Sequence, residues 1–155
     1  LSELPEAALS VFHGLRANAY MIQRCRVIAE RVAKHGPPKD QRAKPVTKLP
    51  SLDPGIEAAN RIAARDVFAG IEPAPFVVLR VRRLAERIEM TRKSYESRYA
   101  WANELWRQGY TLKEISRRIG ELRHTLFALI FKMRTRYGMF PKRPRYGYKQ
   151  PPGLP

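Results

Sequence analysis

The sequence predicts an all-α fold, a helical bundle that ends in a three-helix unit and carries basic, proline-rich extended segments. Three observations predict it. Apolar residues recur at spacings of three and four through most of the 155-residue chain. Phe76 to Gln108 contains neither Gly nor Pro, which allows a helix of about nine turns. Prolines and glycines gather instead at 36–53 and 139–155. These features divide the chain into an N-terminal helical segment (1–35), a Pro/Lys-rich linker (36–53), a helical region with a long helix from about 76 (54–100), the three-helix unit (101–138) and a basic extended tail (139–155). With 44% apolar residues, the chain can bury one compact core with appendages or two small ones.

The first helix is expected from about Pro5, which suits a first turn, to His35, where Gly36-Pro37-Pro38 stops it. Gly14 and Asn18 mark a place for a break or kink. His13 and His35 have no acidic or cysteine neighbours in sequence and read as surface or core-edge residues, not metal ligands. The linker that follows holds too little apolar surface to form a core. It reads equally as a passive spacer or as a strand laid along a phosphate backbone.

Asp53 caps a second helix, Pro54 occupies its first turn and Gly70 closes it. Asp53, Glu57, Asp66 and Glu72 make this the one acidic stretch, expected to face away from nucleic acid or to touch basic protein surface. In the long helix, Val77, Val81, Leu84, Ile88, Thr91, Tyr95, Tyr99, Ala102 and Trp106 form a nearly continuous stripe. Packing on the N-terminal helix of the same chain is the favoured reading; a coiled-coil seam through 77–106, giving a homodimer, is the alternative. Arg80, Arg82, Arg83, Arg87, Arg92, Lys93 and Arg98 lie on the opposite face, partly offset by Glu86, Glu89 and Glu96.

The stretch from Trp101 to Gly138 organises the rest. Trp101, Leu105 and Trp106 line the incoming helix, and Gly109 ends it. Thr111 caps the next helix with Glu114 as its reciprocal partner, and Gly120 permits a sharp reversal. Leu122, Leu126, Leu129, Ile130 and Met133 then give a longer helix its apolar face. The run Glu114-Ile115, Ile119-Gly120 and Arg123-His124-Thr125-Leu126 resembles the helix-turn-helix of sigma-factor region 4, resolvases and transposases. The pattern departs at Glu121 and Leu122, where an apolar residue and a Ser or Thr cap are usual. It departs again at Phe127 and Phe131, on the face that would meet bases. The resemblance implies a reading helix in the major groove, with Arg123, His124 and Thr125 at base edges. Arg117, Arg118, Lys132, Arg134 and Arg136 would then lie on phosphates.

Charge points the same way. The net charge is +16, from 21 Arg and 9 Lys against 14 acids, and an arginine excess favours bidentate phosphate contact. From Gly109 onward, 11 basic residues face only Glu114 and Glu121. In the tail, Lys142, Arg143 and Arg145 alternate with Phe140, Tyr146 and Tyr148, a composition that grips phosphates and stacks on bases. About six phosphate contacts would weaken binding roughly a thousandfold between low and moderate salt.

The function expected is therefore non-enzymatic DNA binding. The alternatives are a structural RNA-binding component of a large ribonucleoprotein such as a ribosome, and a viral genome-packaging or capsid-associated protein. A helix apolar nearly all round is usually covered, so Phe127 and Phe131 are expected to be buried or to meet a protein partner. No catalytic constellation, phosphate-binding glycine loop, cofactor motif or metal-ligand spacing emerges, and no histidine stands near a credible nucleophile. No apolar run reaches the roughly 20 residues of a membrane span. Cys25 is the single cysteine, which fits a reducing, intracellular compartment: bacterial cytoplasm or nucleoid, a virus-infected cell, or an organelle matrix. The first residues lack the features of a secretory signal, and a start at Leu rather than Met is compatible with processing.

Overall fold

A computed structural model describes residues 3–37 and 48–143. The middle of the linker and the tail beyond Arg143 lie outside the described residues. The described part is all-helical, with α1 Glu6–Leu9, α2 Ala19–His35, α3 Pro54–Val67, α4 Pro75–Arg98, α5 Ala100–Arg107, α6 Leu112–Ile119 and α7 Arg123–Tyr137. The chain forms two compact units, Leu1–Met90 and Thr91–Pro155. No described helix is long and apolar enough to cross a membrane.

In the first unit, the helix expected over Pro5 to His35 is two helices separated by an irregular segment from Ser10 to Asn18. Gly14 adopts a left-handed φ of 76°, and a Cβ there would lie 2.6 Å from Leu49 Cβ. Asn18 caps α2 by accepting from Met21 N–H at 2.8 Å. Because the segment passes beside the core, its backbone groups need partners other than a helix ladder. Asn60, 3% exposed, supplies several of them. Its amide donates to the Phe12 carbonyl at 3.1 Å and the Leu15 carbonyl at 2.5 Å, and its oxygen accepts from Ala17 N–H at 3.2 Å. Arg82 donates to the Val11 and His13 carbonyls at 2.9 and 2.7 Å while its Nε meets Glu86 at 3.0 Å. The sequence places Arg82 on a solvent face; it is in fact buried, because the loop carbonyls draw the guanidinium inward.

Around this clamp, Phe12, Leu15, Met21, Phe68, Val77 and Val81 make the core, with Cys25 against the Val81 carbonyl. Arg61 fastens α1 to α3 through a two-pronged pair with Glu6, at 2.8 and 3.0 Å. That partner holds the exposed Glu6 carboxyl down at about 2.

The long helix expected from Phe76 to Gln108 is interrupted at Tyr99, which separates α4 from α5. The apolar stripe is correspondingly shared. Val77, Val81, Ala85 and Ile88 belong to the first core, and Tyr99, Ala102 and Leu105 to the second.

Replacing Asn60 with Ala should destabilise the protein by about 3 kcal/mol in a urea titration, since the Leu15 carbonyl and the Ala17 N–H would lose the partner that Asn60 supplies. Burial also pushes the Cys25 thiol up from 9.0 to about 12. The unfolded thiol ionises first, so its contribution to stability is complete below pH 9 and is lost as pH rises toward about 12. Alkylation of Cys25 at pH 8 should accordingly be slow in the folded protein and rise with urea in step with the unfolded fraction.

Candidate nucleic-acid interface

The second unit exposes Arg117, Arg118 and Arg123 around the α6–α7 turn. Thr111 Oγ1 accepts from Glu114 N–H at 3.2 Å and starts α6. The reciprocal half of the expected capping box is missing, since Glu114 Oε2 is buried without a hydrogen-bond partner. Gly120 takes the left-handed conformation, φ 76° and ψ 23°, and its N–H donates to the Ser116 carbonyl. Glu121 N–H shares that carbonyl, and Ser116 Oγ donates back to the Glu121 carbonyl. The Glu121 carboxylate accepts from Tyr99 OH at 3.1 Å and Arg98 at 3.2 Å. Burial first, and this carboxylate second, raise the Tyr99 phenol above its usual value. Glu121 therefore takes the place of the expected apolar residue because a buried tyrosine hydroxyl needs an acceptor there.

Leu122 begins α7 without a side-chain cap and is 66% exposed. Behind it, Leu126, Ile130 and Met133 are buried against the core formed with Ile115, Leu105 and Phe140. The outward face starts with Arg123, His124 and Thr125, all exposed. It continues through Phe127 and Phe131, 68% and 66% exposed. The sequence expects these phenylalanines to be buried or to meet a protein partner, and among the described residues nothing buries them. With Leu126, Ile130 and Met133 already filling the inner face, a further turn-spaced aromatic pair points outward.

The expected phosphate ligands divide into two groups. Arg117, Arg118, Arg123 and Lys142 are exposed, although Arg118 also lies 4.7 Å from the Tyr110 ring centre. Lys132, Arg134 and Arg143 are engaged inside the unit. Lys132 donates to Tyr95 OH at 3.1 Å and stands over that ring. Arg134 Nε donates to the Phe140 carbonyl at 2.7 Å, and its guanidinium lies 5.6 Å from the Trp106 ring centre. Arg143 lies 3.6 Å from that centre and bonds the Trp106 and Tyr110 carbonyls. Arg136 is half-buried near the end of α7. Arg145 lies outside the described residues.

The start of the tail is thus part of the fold. Trp106 Nε1 donates to the Pro141 carbonyl at 2.7 Å, Asn103 accepts from Phe140 N–H at 2.9 Å, and Phe140 is fully buried edge-on to Trp106. Phe140 is therefore a core residue and not a base-stacking one. Its sequence context, two residues before a basic run, hides this; the apolar pair Met139-Phe140 directly after a left-handed Gly138 is the available signal.

No protein-family model, curated protein or solved structure matches this chain. The surface must be read from its own chemistry.

One correction concerns the first unit. His13 is not isolated: its Nδ1 meets Glu57 at 2.7 Å and its Nε2 meets Ser51 Oγ at 3.3 Å. The three residues come from 13, 51 and 57, so sequence adjacency gives no hint of them. Serine, histidine and carboxylate stand in the order used for acyl transfer. Glu57, however, also accepts from Gly14 N–H at 3.1 Å and Asn60 at 3.2 Å. Its carboxylate gathers the loop donors and makes the set a clip between the irregular segment and α3.

Replacing both Phe127 and Phe131 with Ser should leave the thermal midpoint within about 2 °C of wild type, as expected for exposed side chains. By contrast Gly120→Ala, forced into a left-handed backbone, should cost about 1–2 kcal/mol in chemical denaturation.

Proposed function

We propose that the chain is a non-enzymatic DNA-binding protein whose helix-turn-helix is formed by α5, α6 and α7. The observation that carries the reading is the exposed trio Arg123, His124 and Thr125 on the first turn of α7, directly after a left-handed turn and beside exposed Arg117 and Arg118. In a major groove, Arg123 would take the O6 and N7 edge of guanine, and His124 and Thr125 would add weaker contacts. Arg117, Arg118 and Lys142 would hold phosphates. The phenylalanine pair would then face the groove floor, where apolar side chains touch thymine methyl groups.

The three exposed cations assigned to phosphate, Arg117, Arg118 and Lys142, predict a smaller salt effect for this head than the residue count alone. Each contributes about −0.9 to the logarithmic salt slope, which gives about a fortyfold loss between 50 and 200 mM. Lys132, Arg134 and Arg143 add nothing, because using them would strip the Trp106 and Tyr95 contacts.

A second reading, a structural component of a ribonucleoprotein, draws on the same exposed pair: Phe127 and Phe131 are also what a protein neighbour would cover. Selection from a random duplex pool separates the two. Enrichment of one motif, a loss of preference of about 1–3 kcal/mol with Arg123→Ala, and weaker binding when deoxyuridine replaces thymidine in that motif are expected. Equal binding to random duplex and structured RNA, with no motif, would end the sequence-reading proposal. Because Glu57 is committed to the loop, a fluorophosphonate probe should not label Ser51; mass-spectrometric detection of that adduct would overturn the non-enzymatic reading.

A further inference from the structure

The first unit holds a second cationic feature that the head does not explain. Arg24 and Arg31 on α2, and Arg80 and Arg87 on α4, converge on one groove with Ile28 and Leu84 in its lining. Each pair is seven residues apart, so its members lie on one face of their helix about 10.5 Å apart. No acidic residue lines the groove. The acids closest in sequence are committed elsewhere, Glu30 to Arg26 at 2.8 Å and Glu86 to Arg82 at 3.0 Å. Arg24, Arg31 and Arg80 are exposed.

Four guanidiniums around one cavity repel one another, and none of the residues lining it is acidic. Exposed cations normally diverge into solvent; here two helices direct Arg24, Arg31 and Arg80 toward one groove. The cavity is about 190 Å³, below the roughly 300–1,000 Å³ of small-molecule pockets. It suits an anionic group presented from outside, not an enclosed ligand. All four cations are arginine, whose planar fork matches phosphate oxygens in pairs. The spacing within each pair equals the rise of about three phosphates along one duplex strand.

We propose that this groove is a second nucleic-acid site, taking consecutive phosphates of one backbone between α2 and α4 without reading bases. It goes beyond the helix-turn-helix reading and does not depend on it.

The test is fluorescence anisotropy with a labelled random-sequence 24-base-pair duplex and the full chain, from 50 to 200 mM KCl. In R24A/R31A/R80A the logarithmic salt slope should fall by about 2.7, three contacts at about 0.9 each. The same fall should occur in the R117A/R118A/R123A/K142A background, which removes the head's contribution. R24K/R31K/R80K, which keeps charge but not the fork, should retain the slope while weakening binding. Poly-L-glutamate at equal charge should displace the duplex from the head-deficient protein at least about tenfold less well than unlabelled duplex does, given the preference of arginine for phosphate. A slope within about 0.5 of wild type in the alanine variant would overturn the proposal. So would a lysine variant that loses the slope as the alanine variant does, or poly-L-glutamate competing as well as duplex, which would assign the groove to an acidic polypeptide. Circular dichroism of each variant should match wild type, since the three altered side chains are exposed.

Discussion

Four bonds meet at Glu121, and the direction of α7 follows from them. Its carboxylate receives Tyr99 and Arg98, its carbonyl receives Ser116, and its N–H reaches the Ser116 carbonyl. Gly120 supplies the backbone reversal, but a left-handed glycine only permits a turn; the bonds at Glu121 choose its course. Tyr99 is also where α4 gives way to α5. One buried phenol therefore couples the helix break to the entry of the outward-facing helix. The exposed trio at Arg123 to Thr125 begins two residues later, so its placement inherits the rigidity of this turn.

The first unit solves a related problem with different side chains. An irregular segment between α1 and α2 lies against a core, where water cannot satisfy its carbonyls. Asn60, Arg82 and Glu57 meet those groups instead, and His13 and Ser51 extend the set to the chain entering α3. Such a polar network stabilises modestly when complete and costs heavily when one member is removed. Its value lies in fixing one loop conformation, which in turn holds α2 beside α4 through Cys25 and Val81. The arginine groove depends on that placement.

The all-α class and the turn at Gly120 were legible in the sequence because each rests on local rules. Periodicity, a Thr cap and a glycine after Ile119 require no knowledge of distant residues. The break at Tyr99 was not legible, since Tyr95 to Trp106 keeps helical spacing and the carboxylate that receives the Tyr99 hydroxyl lies more than twenty positions away. The clip at His13 was hidden for the same reason. Phe140 was misread because an aromatic among basic residues has the same composition whether it stacks on a base or fills a core. Phe127 and Phe131 show the opposite limit: a helix apolar on most faces looks buried, yet α7 turns only one face to the core of its unit and leaves this pair exposed.

Charge shows most clearly where composition stops being informative. A count of basic residues treats Lys132, Arg134 and Arg143 as equal to Arg117 and Arg123. The first three give their donors to carbonyls, a phenol and aromatic faces, and moving them to phosphate would cost those contacts. Arginine suits both uses because it stays charged and offers a flat, weakly hydrated face as well as a donor fork. Trp106 exploits the face, holding Arg134 and Arg143 near one ring and so docking the chain that follows α7. Where no carbonyl or ring is within reach, as for Arg24, Arg31 and Arg80, the fork remains open to an external anion. The useful quantity in so basic a chain is therefore not its net charge but the subset of guanidiniums that folding leaves unspent.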